Sequence, residues 1–397
     1  MPHVRERFLL KKLEKFLKFW PVVGIIGLRQ SGKTTLVTKL AHCGPGISLD
    51  DLEAREEAVK SPKTFLARLS RPAVIDEVQK APPLFDAIKL AVDQKRIPGE
   101  FLITGSTAFS AKIGIRESLT GRIGLLRLRP FCYGELHQLP PLDSGSRSFV
   151  EKIDQIKPRC TSSDVSKSMQ LGGMPGVAFM RDAEHRDVYW KSWLDTTLTR
   201  DVPRIFKRSY DPDVALGILN RMGQVLADGE LPTLHHFSQP ARLLRQYFSS
   251  FEEVFLVDRI PVHESGKGND VWLAGDSGLA GYLMSIAGRK PSQLSLVRHF
   301  LWNEWYIRHH QQDMLRTFQY YKSAQGSPID AIIDGVPILV TDDASAVGRR
   351  LQWLERPLRG AMKTLGAKHA VIVAPIDHII TAKSNDGIAV VPWSVWC

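Results

Sequence analysis

The feature that most constrains this chain is the stretch Gly27-Leu28-Arg29-Gln30-Ser31-Gly32-Lys33-Thr34-Thr35. It follows the apolar run Val22-Val23-Gly24-Ile25-Ile26 and precedes Leu36-Val37-Thr38-Lys39-Leu40, whose apolar spacing is helical. A G-x-x-x-x-G-K-[ST] pattern between a buried strand and a helix is the context in which it means phosphate binding. Its glycines let backbone N–H groups turn inward, and the new helix presents its positive end to the anion. Lys33 is expected to reach the β- and γ-phosphates, and the Thr34 hydroxyl to ligate Mg²⁺.

Further strands can be read downstream. Ile47-Ser48-Leu49-Asp50-Asp51 is a short one ending in acids, and Ala73-Val74-Ile75-Asp76-Glu77 ends in two carboxylates. Phe101-Leu102-Ile103-Thr104-Gly105-Ser106 and Leu125-Leu126-Arg127-Leu128 complete the set, with helical stretches between them. The alternation predicts a doubly wound parallel sheet. Asp76 lies about 40 residues past the phosphate loop, a spacing compatible with a neighbouring parallel strand. Parallel strands share a C-terminal edge, so Asp76 is expected beside Thr34 and the metal.

Nucleotide hydrolysis needs the γ-phosphate and metal held, a water activated and developing charge neutralised. Lys33 and the loop amides would supply the first, and Thr34 with Asp76 the second. Glu77 is placed to polarise the attacking water. Ser106, ending the next strand, could hydrogen-bond the γ-phosphate or the water. Arg122, in Leu119-Thr120-Gly121-Arg122, is the arginine-finger candidate. The sequence leaves oligomeric state open, and with it whether Arg122 serves its own subunit or a neighbour.

Other chemistries find little support. The four cysteines, Cys43, Cys132, Cys160 and Cys397, are scattered and argue against a disulfide framework or a zinc site. No G-x-S-x-G nucleophile motif occurs. No apolar run approaches the roughly 20 residues of a membrane span, so a cytoplasmic location and no membrane partner are expected. A net charge of +11 suits a polyanionic partner and makes DNA a candidate, although the excess is spread along the chain.

The length, 397 residues, allows more than one domain. Phe8 to Trp20 reads as an amphipathic leader helix packed on the nucleotide-binding core. His137 to Ser148 reads as a loop, and 149–205 as mostly helical. Helices over Val214–Leu226, Leu231–Phe237 and Ala241–Phe251, then the apolar Val254-Phe255-Leu256-Val257, outline a winged helix-turn-helix with Arg242, Arg245 and Gln246 on its third helix. Past about residue 270 a second, smaller α/β unit follows. The expected units are therefore 1–136, 137–205, 206–262 and 263–397.

The first part of the chain resembles the bacterial and archaeal AAA-type P-loop ATPases that carry a C-terminal region of unassigned function. The resemblance rests on Gly27 to Leu36, Ile47 to Asp51, Ile75-Asp76-Glu77-Val78-Gln79-Lys80-Ala81-Pro82, Leu102 to Ser106, Ser118 to Arg122, and Pro130-Phe131 with Gly134-Glu135. Sparser matches are Gly172-Gly173 with Pro175, Thr199-Arg200-Asp201, and Asp276-Ser277-Gly278-Leu279-Ala280. The resemblance implies an AAA-type domain, ATP and Mg²⁺ as cofactors, a winged-helix middle and a restriction-endonuclease-like end. Such nucleases need a metal-binding Asp, a Glu-x-Lys and often a helical Glu. Asp330 fits the first, but the others read Leu339-Val340-Thr341 and Arg298, with Glu304 and Asp342 as alternative acids. The expectation is an ATPase acting as a nucleotide-driven switch, hinged at 137–170. DNA binding with regulatory hydrolysis is the alternative, and nuclease activity is disfavoured.

Overall fold

The computed structural model describes residues 5–38, 46–108, 119–141, 156–206, 209–311, 318–323, 326–381 and 387–397. Helix α1 (Leu9–Leu17) precedes strand β1 (Val22–Ile26) and helix α2 (Lys33–Thr38). Then come β2 (Ile47–Ser48), α3 (Leu52–Lys60), α4 (Pro62–Arg68), β3 (Ala73–Asp76), α5 (Pro83–Gln94), β4 (Phe101–Gly105) and β5 (Ile123–Arg127). The five strands form one parallel sheet in the order β2-β3-β4-β1-β5. Val22 and Ile75 face a core under α3, α4 and α5, whereas Val23 and Ile25 face Leu9 and Leu13 of α1 and Leu36 of α2. This two-sided burial is why the strands read as unbroken apolar runs. Helix α1 packs as expected of an amphipathic leader.

One expectation needs correcting. Strand β3, which carries Asp76, does not neighbour β1; β4 lies between them and pairs with both. Spacing along the chain cannot reveal this, because β4 comes later in the sequence and is inserted between strands already laid down. The insertion brings Thr104 and Ser106 between the phosphate loop and the Asp76-Glu77 pair.

The remainder begins with α6 (Tyr133–Leu136), α7 (Ser162–Leu171) and α8 (Ala183–Thr196), which runs into a π-helical turn, Thr197–Asp201. Helices α9 (Pro212–Ala227) and α10 (Ala241–Glu253) follow, and the helix expected over 231–237 is a single 3₁₀ turn, Leu234–His236. Strands β6 (Val257–Ile260) and β7 (Val271–Ala274) form an antiparallel hairpin. Helices α11 (Ser277–Ile286) and α12 (Gln293–Gln311) lead to β8 (Phe318–Lys322), β9 (Pro328–Ile333) and β10 (Val336–Val340). Helices α13 (Ala344–Arg349) and α14 (Leu351–Leu365) then precede β11 (Ala370–Ala374), β12 (Ile380–Thr381) and β13 (Ile388–Pro392). These last strands make a mixed sheet in the order β12-β13-β11-β10-β9-β8, in which β11 pairs in parallel with β10 and β13 and the other pairings are antiparallel.

The expected boundary at 262/263 falls inside the β6–β7 hairpin. A hairpin strand cannot be separated from the partner that satisfies its backbone. One hydrophobic core also runs from Tyr133 and Val165 through α8 to α12 and onto one face of the C-terminal sheet, crossing both later boundaries. Leu28, from the phosphate loop itself, belongs to that core. The expected hinge at 137–170 includes residues 142–155, which lie outside the described set.

Candidate nucleotide-binding site

Two glycines shape the phosphate loop. Gly27 has φ +156°, and a Cβ there would stand 2.1 Å from the Leu128 carbonyl oxygen. Gly32 has φ +95°, and Gln30 between them also has positive φ, 62°. Left-handed residues in such a turn aim successive N–H groups into one concavity, an anion nest. Ser31 is fully buried and its Oγ has no hydrogen-bond partner, so the loop holds a polar group still needing one.

Lys33 opens α2 and is 5% exposed. Its Nζ donates to the loop's own carbonyls, Gly27 at 3.0 Å and Leu28 at 2.8 Å. Burial lowers its pKa to about 8, against the opposing pull of Glu77 and Asp76. Thr34 donates from Oγ1 to Asp76 Oδ2 at 2.9 Å, so the non-adjacent strands still bring these side chains together. Thr104 donates to the other carboxylate oxygen of Asp76. This second support was missed in the sequence, where Thr104 reads only as one residue of an apolar strand.

Glu77 sits just past β3 with φ 57° and ψ 41°, a left-handed conformation costly for a residue with a Cβ. Ser106 donates to its Oε2 at 3.0 Å, and Gln79 donates to the same oxygen and to Ser106 Oγ. Ser106 is thus placed against Glu77 at the C-terminal edge of the sheet.

Arg122 is placed elsewhere. It immediately precedes β5, at the edge opposite the phosphate loop, and its carbonyl accepts from Val22 N at the start of β1. The length of β1, roughly 16 Å at about 3.3 Å per residue, separates it from its own loop. Its guanidinium is bound by Asp93 through two contacts, 2.6 and 2.9 Å. An arginine finger acting within its own subunit is therefore not Arg122. The order of residues gives no sign of this, because a turn before a strand and a turn after it look alike.

One cation given no role in the sequence, Arg200, lies near the loop through a shared acid: its Nε is 4.0 Å from Asp201, the partner of Arg29. Arg29 meets Asp201 at 3.4 Å, and Arg200 lies 3.9 Å from Asp50, which also pairs with Lys80. Burial lowers Lys80 to about 8, with Arg200, Arg204 and Arg29 adding repulsion. The signal was the Thr199-Arg200-Asp201 run, whose place beside the loop depends on the π-helical turn that ends α8. Trp193 Nε1 donates to Arg29 O at 3.3 Å and Tyr189 OH to Gln30 Oε1 at 2.9 Å, so α8 braces the loop from outside.

Beside Ser31, Gly32 and Thr35 lies a cavity of about 730 Å³, walled by Arg5, Arg7, Phe131, Pro175 and Phe179 among others. The guanidinium of Arg7 stands 4.1 Å from the centre of the Phe131 ring, and that of Arg5 5.1 Å from Phe179. Such a chamber is of the size that takes a drug-sized ligand. The Pro175 wall is held by Asp276, which accepts from Gly173 N at 2.7 Å while capping α11 through Gly278 and Leu279.

Residues 20–137 match the family model of an AAA domain. This segment is similar to AAA domains. The chain as a whole is 24% identical to the uncharacterized proteins Rv2008c of Mycobacterium tuberculosis and Mb2031c of Mycobacterium bovis, the alignments covering 94% of this chain and 81% of each relative. Among solved structures it is similar to a Walker-type ATPase of Pyrococcus abyssi, with 16% identity and a TM-score of 0.41 over 69% of this chain and 94% of that one. The matched residues hold the sheet and the glycine-rich loop; α8, which braces that loop, comes from outside them.

At the other end of the chain, Asp330 is buried on β9, where Arg298 of α12 pairs with it at 2.7 Å and Val340 N donates to it at 2.6 Å. Glu304 is not there. It accepts from Tyr133 N at 2.7 Å, and burial raises its pKa to about 8. Asp342 is exposed. No group of three or more acids, histidines and cysteines fit for a metal occurs among the described residues.

Proposed function

We propose that this chain binds ATP with Mg²⁺ and hydrolyses it, and that the bound nucleotide biases how the C-terminal elements sit against the AAA domain. The observation that carries the reading is the convergence on one sheet edge of Lys33, the Thr34–Asp76–Thr104 set and the Glu77–Ser106–Gln79 set. The residues fit the ligands: Ser31 Oγ lacks a partner, the loop amides converge, and a carboxylate and a hydroxyl stand together for a hard cation. Thr34 and Asp76 would hold Mg²⁺, which supplies charge neutralisation between the phosphates.

Lys33 would exchange its two carbonyl partners for phosphate oxygens. Glu77 would release one hydrogen bond from Ser106 or Gln79 to orient the attacking water. Arg200 and Arg29 are the cations within the subunit suited to neutralise developing charge. The chamber walled by Phe131 and Phe179 would take the nucleoside.

The switch reading rests on what the reactive edge touches. Ala108, just past Ser106, donates its N–H to Glu253 O at the end of α10 at 2.8 Å. Arg127 and Arg129, at and beyond the end of β5, each meet Asp258 of the β6–β7 hairpin at 2.7 Å, and Leu28 enters the C-terminal core. A shift of the loop or of the β4 end would therefore be felt by α10 and the hairpin. Comparing ATPase rates of wild type, Lys33→Ala and Glu77→Gln tests the reading; unchanged binding and hydrolysis in Lys33→Ala would refute it.

DNA binding is the second reading, favoured by one observation. Arg242, Arg245, Gln246 and Ser249 form one exposed face of α10, beside the hairpin. Duplex affinity that is insensitive to salt and to Arg242→Ala with Arg245→Ala would remove it. Nuclease chemistry stays disfavoured, since Arg298 occupies the flank of Asp330 where a metal would need another acid.

A further inference from the structure

Three cysteines far apart in the sequence converge in space. Cys132 and Cys397 line one small cavity together with Arg159, Glu304 and Arg308. Both are nearly enclosed, at 3% and 4% exposure, whereas Cys160 is only half-buried, in the turn before α7. Cys160 packs against the core that holds Cys397, and its sulfur shares side-chain hydrogen bonds with the Cys397 thiol and the Tyr133 hydroxyl. Cys43 lies outside the described residues.

We propose that Cys160 and Cys397 are an oxidisable dithiol that forms a reversible disulfide when Cys160 meets a hydroperoxide. The two positions differ as an attacking and a resolving sulfur should. Cys160 is reachable from solvent and its two hydrogen bonds favour the thiolate, lowering its pKa, whereas burial raises that of Cys397 well above the usual thiol value. The Cys160 thiolate attacks the peroxide and the O–O bond breaks. One oxygen stays on sulfur as the sulfenic acid, and the other leaves with the proton that Cys160 gave up. The Cys397 sulfur then attacks the sulfenic sulfur; the S–S bond forms as the S–O bond breaks, and hydroxide leaves as water with the Cys397 proton. Two electrons pass from the two thiols to one peroxide.

The bond would join two parts that matter to the candidate site. Cys160 adjoins Thr161, the cap of α7, and α7 leads through Gly172 and Gly173 into the Pro175–Met180 wall of the cavity. Cys397 follows the turn Trp393–Trp396, packed in the large core. The disulfide would tie the root of that wall to the C-terminal sheet.

The test treats the full chain with a small excess of hydrogen peroxide, blocks free thiols with N-ethylmaleimide and maps the non-reduced digest. The expected product is a Cys160–Cys397 cross-linked peptide, reversed by dithiothreitol, with Cys132 alkylated. Cys397→Ser should accumulate a dimedone-reactive sulfenic acid at Cys160, and Cys160→Ser should leave Cys397 reduced. Circular dichroism melts confirm that both variants are folded. A Cys132–Cys397 link, or wild-type Cys160 passing to sulfinic acid while Cys397 stays free, would overturn the proposal. None of these readouts depends on nucleotide binding.

Discussion

Lys33 provides the sharpest test of the nucleotide site, because its burial has a consequence for pH. Its pKa in the free protein is lowered from 10.5 to about 8 by desolvation. A polyphosphate bound beside it favours the ammonium form and raises that value again. Below about pH 8 Lys33 is charged in both states and binding moves no proton. Above it the free protein has lost the proton and the bound form keeps it, so binding takes a proton up and affinity falls as pH rises. With one group at pKa about 8, the dissociation constant for ATP should rise roughly tenfold between about pH 7 and about pH 9, with uptake of about nine-tenths of a proton at the higher pH. Calorimetry at about pH 9 in buffers of different ionisation enthalpy measures that uptake directly. Lys33→Met should abolish most of it, and any part left would belong to Lys80, whose pKa is also about 8. Affinity independent of pH across this range, with no proton uptake, would refute both the burial argument and the assignment of Lys33 to the phosphates.

Four further outcomes follow from the geometry. Thr104→Val, which leaves one Asp76 oxygen without its hydroxyl donor, should lower kcat by about 10- to 100-fold while ATP still binds, as measured by single-turnover hydrolysis. Arg200→Ala should cut hydrolysis about 10²-fold or more, whereas Arg122→Ala should leave the rate at the highest dilution unchanged; equal losses in both would contradict the placement of Arg122. Asp258→Ala removes the acid shared by the buried Arg129 and the half-buried Arg127 and should cost about 3–5 kcal/mol in denaturant unfolding. Asp330→Ala should leave plasmid cleavage at background in Mg²⁺, as in wild type, while lowering stability because Arg298 is left buried without its acid.

Local signals carried much of the site. The loop from Gly27 to Thr35, the acidic end of β3 and the small polar end of β4 were legible because each follows from chain-local demands: a turn needing glycine, a buried strand needing apolar residues, a polar group where the strand emerges. The helix expected at 231–237 was not, since Leu231, Leu234 and Phe237 suit a helix by spacing yet the chain takes only one 3₁₀ turn before α10. Domain limits were the weakest reading. Polar and Gly/Pro-rich stretches mark where a chain turns, but not whether one core continues on both sides, as it does past residue 262.

The sequence alone determined that a glycine-rich G-x-x-x-x-G-K-T loop opens an α/β domain and that Lys33, Thr34, Asp76 and Glu77 are the groups to examine, because backbone geometry and charge fix residue types locally. Only the tertiary structure decided that β4 separates β1 from β3, and that Arg122 faces Asp93 at the far edge. The same holds for Arg200 meeting Asp201, the partner of Arg29, and for the side chains of Cys160 and Cys397 interacting. Each is a distance between residues remote in the chain, set by strand order and by how helices pack over one core. No periodicity along the sequence encodes such a distance.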